Sequence, residues 1–474
     1  FRVYYLRFCF FAVKNWEWLK IPQNPSNPHS HSEHKYKMNS DIRVFKFGGA
    51  SLEDAENVRN VASILAKYKG QRLLVVVSAM GKTTNALEAI VAAHTKQDGT
   101  AQELLEQLKQ KHFQVAQELF GEDTKEVFTT INDTFVEIEW ALEEEPHEDY
   151  GYTYDQIVSV GELLSSKIVA AYLNHQQLKT HWLDARDVIL TDNLYRSAGV
   201  QWEETLERAK DYALPQVTEE QFVLTQGFIG TTSENFTTTL GREGSDYTAA
   251  IFSFCLDAKD MSIWKDVPGV LTADPRLFNH VTKLDRLSYR EAIEMTYYGA
   301  KVIHPKTIKP LQNKNIPLYV KSFIEPTGEG TLISDEVEDK YPPMVAVEKN
   351  QAALYISTKD FSFVAEHHMS FLFNKIADFR LQVNLMQNTA ISFAICVNHV
   401  ENRVHQFAKE IEEQFNVMID EGLELYTVRH YNDATIQSLL SNKMVLLEER
   451  TPKTLQMVIR DLPVMKRKEE VMES

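Results

Sequence analysis

Val44-Phe45-Lys46-Phe47-Gly48-Gly49-Ala50-Ser51 decides how the chain is read. An apolar run carries one lysine, meets two glycines and passes into Leu52–Tyr68. There Val58, Val61, Ala62 and Leu65 recur at the i, i+3, i+4, i+7 spacing of one helix face. The order is strand, tight turn, amphipathic helix. Paired glycines let a backbone come close to a ligand, and a helix N-terminus offers unpaired N–H groups to an anion. Lys46 stands just before the turn, where its ammonium can reach a phosphate. Taken alone, the eight residues favour a plainer reading, a tight turn beside a solvated lysine, because short glycine motifs often occur without a ligand.

At 474 residues the chain is long enough for two or three domains, and 43% hydrophobic with 25% charged residues places it among globular proteins. The net charge is −17; residues 1–37 hold six Lys/Arg and two Asp/Glu, which leaves −21 on residues 38–474. That balance argues against nucleic acid as a partner, while a small anion can still bind in a locally positive pocket. Cys9, Cys255 and Cys396 are far apart and form no C-x-x-C. This pattern fits a reducing, cytoplasmic compartment, with no side-chain metal site and no disulfide framework. No run of about 18 apolar residues occurs, so no membrane span is expected. Residues 1–37 join an aromatic start to a Pro, Asn, Ser and His run without a clear cleavage site. They are expected to be a disordered, non-native or upstream extension, with Met38 as the start.

Arg72–Ser78 is a continuous apolar run, as in a strand covered on both faces. It leads into Ser78-Ala79-Met80-Gly81-Lys82-Thr83-Thr84-Asn85. Gly81-Lys82-Thr83 imitates the end of a P-loop, but Val76 stands where the first glycine belongs. A second polar loop after a second strand still falls where α/β sheets bind ligands. Gln102–Glu145 has the spacing of a helical insertion. Glu162 follows Gly161 at a helix start, either as a first-turn glutamate favoured by the dipole or as a carboxylate that holds an amine. In Leu240-Gly241-Arg242-Glu243-Gly244-Ser245-Asp246, two glycines bracket an arginine suited to bidentate recognition of carboxylate or phosphate. Ser245 and Asp246 are expected to cap the helix that follows; the plainer alternative is a capped turn with a surface arginine. Further strands over Met261–Val267 and Pro317–Ser322 complete an alternating α/β pattern with a mostly parallel sheet.

Residues 334–343 are charged and end in two prolines, as a linker would. They divide an expected catalytic domain, 38–333, from a region, 344–474, that is read as two successive βαββ-type α+β units. Helices are expected there over Ser370–Phe379, Arg403–Phe415 and Thr435–Leu440, and a strand over Glu424–His430.

Lys46-Phe47-Gly48-Gly49, the Gly241–Asp246 loop, Trp264-Lys265-Asp266-Val267-Pro268-Gly269 with Thr272–Arg276, and Lys301-Val302-Ile303-His304-Pro305 occur in series. Together they resemble the monofunctional aspartate kinases (aspartokinases), from about Ile42 to about Ile459. The resemblance implies a three-layer amino-acid-kinase α/β sandwich followed by ferredoxin-like ACT modules. It implies transfer of the ATP γ-phosphoryl group to the side-chain carboxylate of L-aspartate, giving 4-phospho-L-aspartate, the first step toward lysine, threonine, methionine and diaminopimelate. By resemblance, Lys46 and Asp246 are catalytic: Lys46 meets the transferring phosphoryl group and Asp246 organises the lysines. Gly48 and Gly49 present N–H groups to that phosphoryl group. Ser78 and Thr84 hydrogen-bond the substrate, Glu162 pairs its amine and Arg242 a carboxylate. Lys265, Asp266, Arg276 and Lys301 serve ATP, with Mg2+ held mainly by the phosphates. The nucleophile is already a carboxylate at pH 7, so the site has to position two anions against their repulsion rather than supply a base. A homodimer or higher oligomer, and an amino-acid effector (lysine or threonine) at the ACT region, are also implied.

Ala50 replaces the common Thr of this family, and Glu243 replaces the second glycine of the arginine loop, where it is expected to point outward. His368-Met369-Ser370-Phe371-Leu372 has no glycine where lysine-sensing relatives carry a glycine-containing loop before the first ACT helix, which argues against lysine as the effector. The length is that expected of the type without a fused dehydrogenase. The competing readings are a kinase of the same fold acting on another acidic substrate, and a catalytically inactive amino-acid sensor.

Overall fold

The structure, a computed structural model, describes residues 40–300, 303–335, 340–360, 362–400 and 402–462. The expectations on residues 1–37, Met38, Lys301 and the middle of the 334–343 linker lie outside these. Two units form. The first takes in residues up to Val270 with Lys283–Ile293 and Ile303–Val337; the second takes in Leu271–Thr282, Glu294–Val302 and residues from Glu338 on.

In the first unit, β1 (Arg43–Phe47) leads through the glycine turn to α1 (Ala55–Ala66). The side chain of Asp54 accepts from the N–H of Asn57 and starts that helix, which buries Val58, Val61, Ala62 and Leu65 as the periodicity requires. β2 (Leu73–Val77) is wholly buried and parallel to β1, with Lys46 beside Val76. Helices α2 (Thr83–Lys96), α3 (Ala101–Phe120), α4 (Lys125–Glu143), α5 (Tyr150–Val158) and α6 (Val160–His175) follow. Among the described residues, Tyr150–His175 is long and apolar enough to cross a membrane, but 83% of its apolar window is buried inside the protein, as in a core helix. Next come β3 (Thr180–Leu183), α7 (Trp202–Arg208), β4 (Phe222–Gln226) and the antiparallel pair β5 (Ile229–Thr231) and β6 (Thr237–Thr239). The wholly buried α8 (Gly244–Cys255) precedes β7 (Asp260–Lys265), β8 (Arg286–Ser288), α9 (Tyr289–Tyr297), α10 (Pro305–Asn313), β9 (Leu318–Ser322) and β10 (Thr331–Ser334).

The sheet order is β3-β4-β2-β1-β7-β9-β10-β8, parallel from β3 to β9, with β10 antiparallel to β9. Phe45, Phe47, Leu73, Val75 and Val77 join the core with α1 to α6. The alternate residues Val44, Leu74 and Val76 are equally buried and face the other way, where α8 packs. Helices on both faces of a mostly parallel sheet make the three expected layers. The chain leaves β1 on one side through β2, β4 and β3, then returns on the other side at β7. That switch point opens a crevice at the carboxyl ends of β1 and β7.

The second unit contains β11 (Met344–Thr358), α11 (Glu366–Asp378), β12 (Val383–Asn388), β13 (Ser392–Asn398), α12 (Arg403–Ile411), β14 (Phe415–Arg429), α13 (Asp433–Leu439), β15 (Lys443–Arg450) and β16 (Thr454–Asp461). They form one antiparallel sheet, β12-β13-β11-β14-β16-β15. The α+β modules are present, but they are nested, not successive. The end of β11 pairs with β13, whereas its beginning, Met344–Glu348, pairs with the end of β14, Leu425–Arg429. The first module is thus inserted into the second. Polar breaks at Lys349-Asn350 and Glu421-Gly422, with φ +55° at Asn350 and +70° at Gly422, divide each 15-residue strand, so only its apolar half stands out in the sequence. Helix α12 stops at Ile411, short of the expected Phe415, which instead begins β14 as a buried core residue. Segments from within the expected catalytic stretch also belong here: Phe278 packs on the core of the second module, the Val345 N–H donates to the Thr272 carbonyl, and Arg429 pairs with Glu294 at 3.1 Å.

Two substitutions separate packing from backbone strain in this unit. Leu354 is fully buried, and Leu354→Ala is expected to cost about 2–5 kcal/mol. Gly422 has no atom within 4 Å of an added Cβ, so Gly422→Ala carries only the φ penalty, about 1 kcal/mol. Urea unfolding followed by circular dichroism checks the ranking.

Candidate active site

The two glycines after β1 have different reasons to be there. A Cβ on Gly49 would lie 2.9 Å from the Gly81 carbonyl oxygen and 3.0 Å from that of Ala79. The Gly81 N–H donates to the Gly49 carbonyl at 3.0 Å, so the loops after β1 and β2 are fastened together. A Cβ on Gly48 would stand 3.3 Å from Lys46 Nζ and crowd the ammonium group. The Ser51 N–H and hydroxyl both donate to the Gly48 carbonyl, at 3.0 and 2.7 Å, which fixes the turn. Ser78, whose N–H donates to the Phe47 carbonyl, and Thr84 in the first turn of α2 flank the same opening.

Lys46 Nζ lies 2.7 Å from Asp246 Oδ1, and Lys265 Nζ 3.9 Å from Asp246 Oδ2. This joins β1, β7 and the start of α8. Burial pushes the Asp246 carboxyl up, but the two ammonium groups outweigh it and hold the group below the usual carboxylate range. Ser245 and Asp246 lie inside the first turn of α8 and do not cap it. Glu243 occupies the preceding position at φ +55°. Its carboxylate does not point outward as expected. It accepts the His304 N–H at 2.9 Å, at the start of α10, because that helix N-terminus offers a free donor. Arg242 beside it is exposed.

Glu162, in the first turn of α6, is 3% exposed. Burial raises its carboxyl to about 8; the Ala79 N–H, 3.4 Å from Oε1, and the Lys46 charge oppose the shift only partly. Among the described residues, Oε2 has no partner.

These residues meet in one cleft of about 860 Å³ in the first unit, lined by ten of the twelve expected site residues. Arg276 belongs to the second unit and pairs with Asp274 at 2.6 Å; Lys301 is outside the described residues. The cleft also has walls that the sequence did not reveal. Trp264, stacked on Phe47 with ring centroids 5.7 Å apart, and Phe323 line it, as do Tyr154, Tyr195 and Arg196. Behind them, fully buried Asp155 accepts from the N–H of Arg196 at 3.0 Å, the N–H of Thr239 at 2.8 Å and the hydroxyl of Thr239 at 2.7 Å. Burial raises its carboxyl to about 6 against these donors. The one local hint was an aspartate within the aromatic run Tyr150-Gly151-Tyr152-Thr153-Tyr154-Asp155.

A sequence model of the amino acid kinase family matches residues 41–322, which include every residue of this cleft except Phe323. The chain belongs to the amino acid kinase family. Within that family, aspartokinases are among its curated relatives. Lysine-sensitive aspartokinase 3 of Escherichia coli is 31% identical over 405 residues, covering 81% of this chain and 86% of the relative. Chloroplastic aspartokinase 2 of Arabidopsis thaliana is 28% identical, covering 84% of this chain and 74% of the relative. The chain spans only 44% of the bifunctional aspartokinase/homoserine dehydrogenase 2 of the same plant, at 28% identity over 413 residues. Among solved structures, E. coli aspartokinase III in complex with lysine and aspartate superposes with a TM-score of 0.75 at 28% identity, covering 88% of this chain and 96% of that one.

In this amino acid kinase chain the glycine turn gives a direct test. Gly49→Ala forces a methyl group against two backbone carbonyls that cannot rotate away. The expected cost is about 1–3 kcal/mol, a fall in Tm of about 2–10 °C for the first unit, with weakened nucleotide binding. Calorimetry and nucleotide titration check it, and an unchanged Tm would show that the two loops are not fastened as described.

Proposed function

We propose that this chain is an aspartate kinase that transfers the γ-phosphoryl group of ATP to the side-chain carboxylate of L-aspartate, forming 4-phospho-L-aspartate on the route to lysine, threonine, methionine and diaminopimelate. The observation that carries it is the array of Lys46 and Lys265 around the buried Asp246 carboxylate, in one cleft with Glu162 and Arg242. Two anions must be brought together, and the array supplies fixed positive charge where charge grows on the phosphoryl oxygens. Asp246 keeps both ammonium groups aimed. Gly48 and Gly49 let backbone N–H groups approach the same oxygens. Glu162 suits the substrate ammonium, Arg242 a carboxylate, and Ser78 and Thr84 supply hydroxyls. Lys265 and Asp266 serve the nucleotide, with Arg276 and Lys301 assigned by resemblance alone. A solved structure of E. coli aspartokinase III holds aspartate and ADP, which supports this substrate pair.

Mg2+ fits this donor set as a companion of ATP rather than a resident ion. Asp246 is engaged by two lysines and Glu243 by His304, leaving Asp266 as the carboxylate of the cleft suited to it. When bound, Mg2+ would neutralise phosphate charge. For the second unit we propose an amino-acid effector, lysine or threonine, and assembly to at least a homodimer. The His368–Leu372 stretch, where relatives carry a glycine-containing loop, lies inside α11, which begins at Glu366, so an effector would have to use other backbone.

Three measurements test this reading. Trapping the acyl phosphate with hydroxylamine should give aspartyl hydroxamate, and Lys46→Ala should lower kcat by about 100- to 1000-fold; unchanged turnover would remove Lys46 from the chemistry. Glu162, raised from 4.5 to about 8, holds a proton at pH 7 in the free protein and should lose it to solvent when an ammonium group binds beside it. L-aspartate binding should therefore release nearly one proton at pH 7 and tighten as pH rises toward 8. The same raised value makes the ligand-free fold lose stability as pH rises from 4.5 through about 8. Calorimetric titration in buffers of different ionisation enthalpy reads the proton, and Glu162→Gln should abolish it. Light scattering should give a mass of at least two chains.

A further inference from the structure

We infer that Arg196 is a second carboxylate-binding residue of the cleft, a specificity-determining guanidinium that works with Arg242 on the α-carboxylate of the amino-acid substrate. The inference rests on the aspartate kinase reading and adds a residue to it. Arg196 sits at φ +67°, a left-handed backbone conformation that favours glycine. Non-glycine residues persist there when the surroundings impose it, and such positions cluster at functional sites. Here the surroundings do impose it. The Arg196 N–H donates to both carboxylate oxygens of buried Asp155, at 3.1 and 3.0 Å. Its carbonyl oxygen lies 3.1 Å from where a Cβ on Gly241 would be, so the backbone is pressed against the residue before Arg242.

The side chain is aimed as well as held. The guanidinium carbon lies 4.7 Å from the ring centre of Tyr154 and 5.4 Å from that of Tyr150. Tyr154 is anchored by its hydroxyl, which donates to Glu88 at 2.7 Å. A guanidinium over two tyrosine rings is held by cation–π attraction and carries N–H donors that suit a carboxylate. Among the described residues, the Arg196 guanidinium forms no salt bridge; its charge is felt by buried Asp155, whose carboxyl it helps to hold down. Arg196 and Arg242 both line the cleft. L-Aspartate brings an ammonium group, which suits Glu162, a reacting carboxylate, which must meet Lys46, and one further carboxylate. The two arginines are the cations left for it.

The test compares L-aspartate with its α-amide, as substrate or as competitive inhibitor, in the wild type, Arg196→Gly and Arg196→Lys. Glycine keeps the N–H that Asp155 holds and suits the backbone, so Tm should be unchanged or higher. Arg196→Gly should raise KM for L-aspartate about 10- to 100-fold, with kcat and KM for ATP little changed. The constant for the α-amide should stay the same in both proteins, and Arg196→Lys should fall between. An unchanged KM for L-aspartate, or equal weakening of aspartate and its α-amide, would overturn the inference. A wild-type protein that makes no aspartyl hydroxamate would instead overturn the kinase reading on which it rests.

Discussion

The ion pair between Lys46 and the buried Asp246 is the interaction on which the first unit depends. It joins the end of the central strand to the first turn of the most deeply buried helix, and Lys265 extends it to the strand on the other side of the switch point. Removing Asp246 leaves two ammonium groups without the carboxylate they share, which costs more than the pair itself contributes. The sheet order, the paired glycines and the placement of α8 bring these charges to one crevice.

The neighbouring carboxylate shows how the environment divides roles. Asp246 and Glu162 are both buried, yet their proton affinities move in opposite directions. Asp246 has two ammonium neighbours; Glu162 has one weak backbone donor and a distant share of the Lys46 charge. The first stays ionised to hold cations in place. The second is held neutral by burial. One fold thus keeps one buried carboxyl ionised and another neutral.

What the sequence revealed was local. The glycine turn, the buried β2, the arginine loop and Glu162 could be read because periodicity, glycine spacing and helix starts are set within a few residues. The rest depends on partners far along the chain. Asp155 meets Thr239 across 84 residues, and Glu243 meets His304 across 61. Arg196 resembles any surface arginine until its φ angle and the Tyr154 stack are seen. The nested modules were hidden because each long strand is broken by a polar kink, so the pattern shows halves that belong to different modules.

That nesting has a genetic consequence. The breaks in β11 and β14 are neighbours in the sheet, with Gln351 paired to Leu423, so the first module leaves and returns to the chain at almost one point. It can be deleted, duplicated or exchanged by a single event that rejoins two adjacent ends. The second module has no contiguous gene segment of its own. A recombination that moves the second module as one segment carries the insert along, whereas the first module can be lost or exchanged alone.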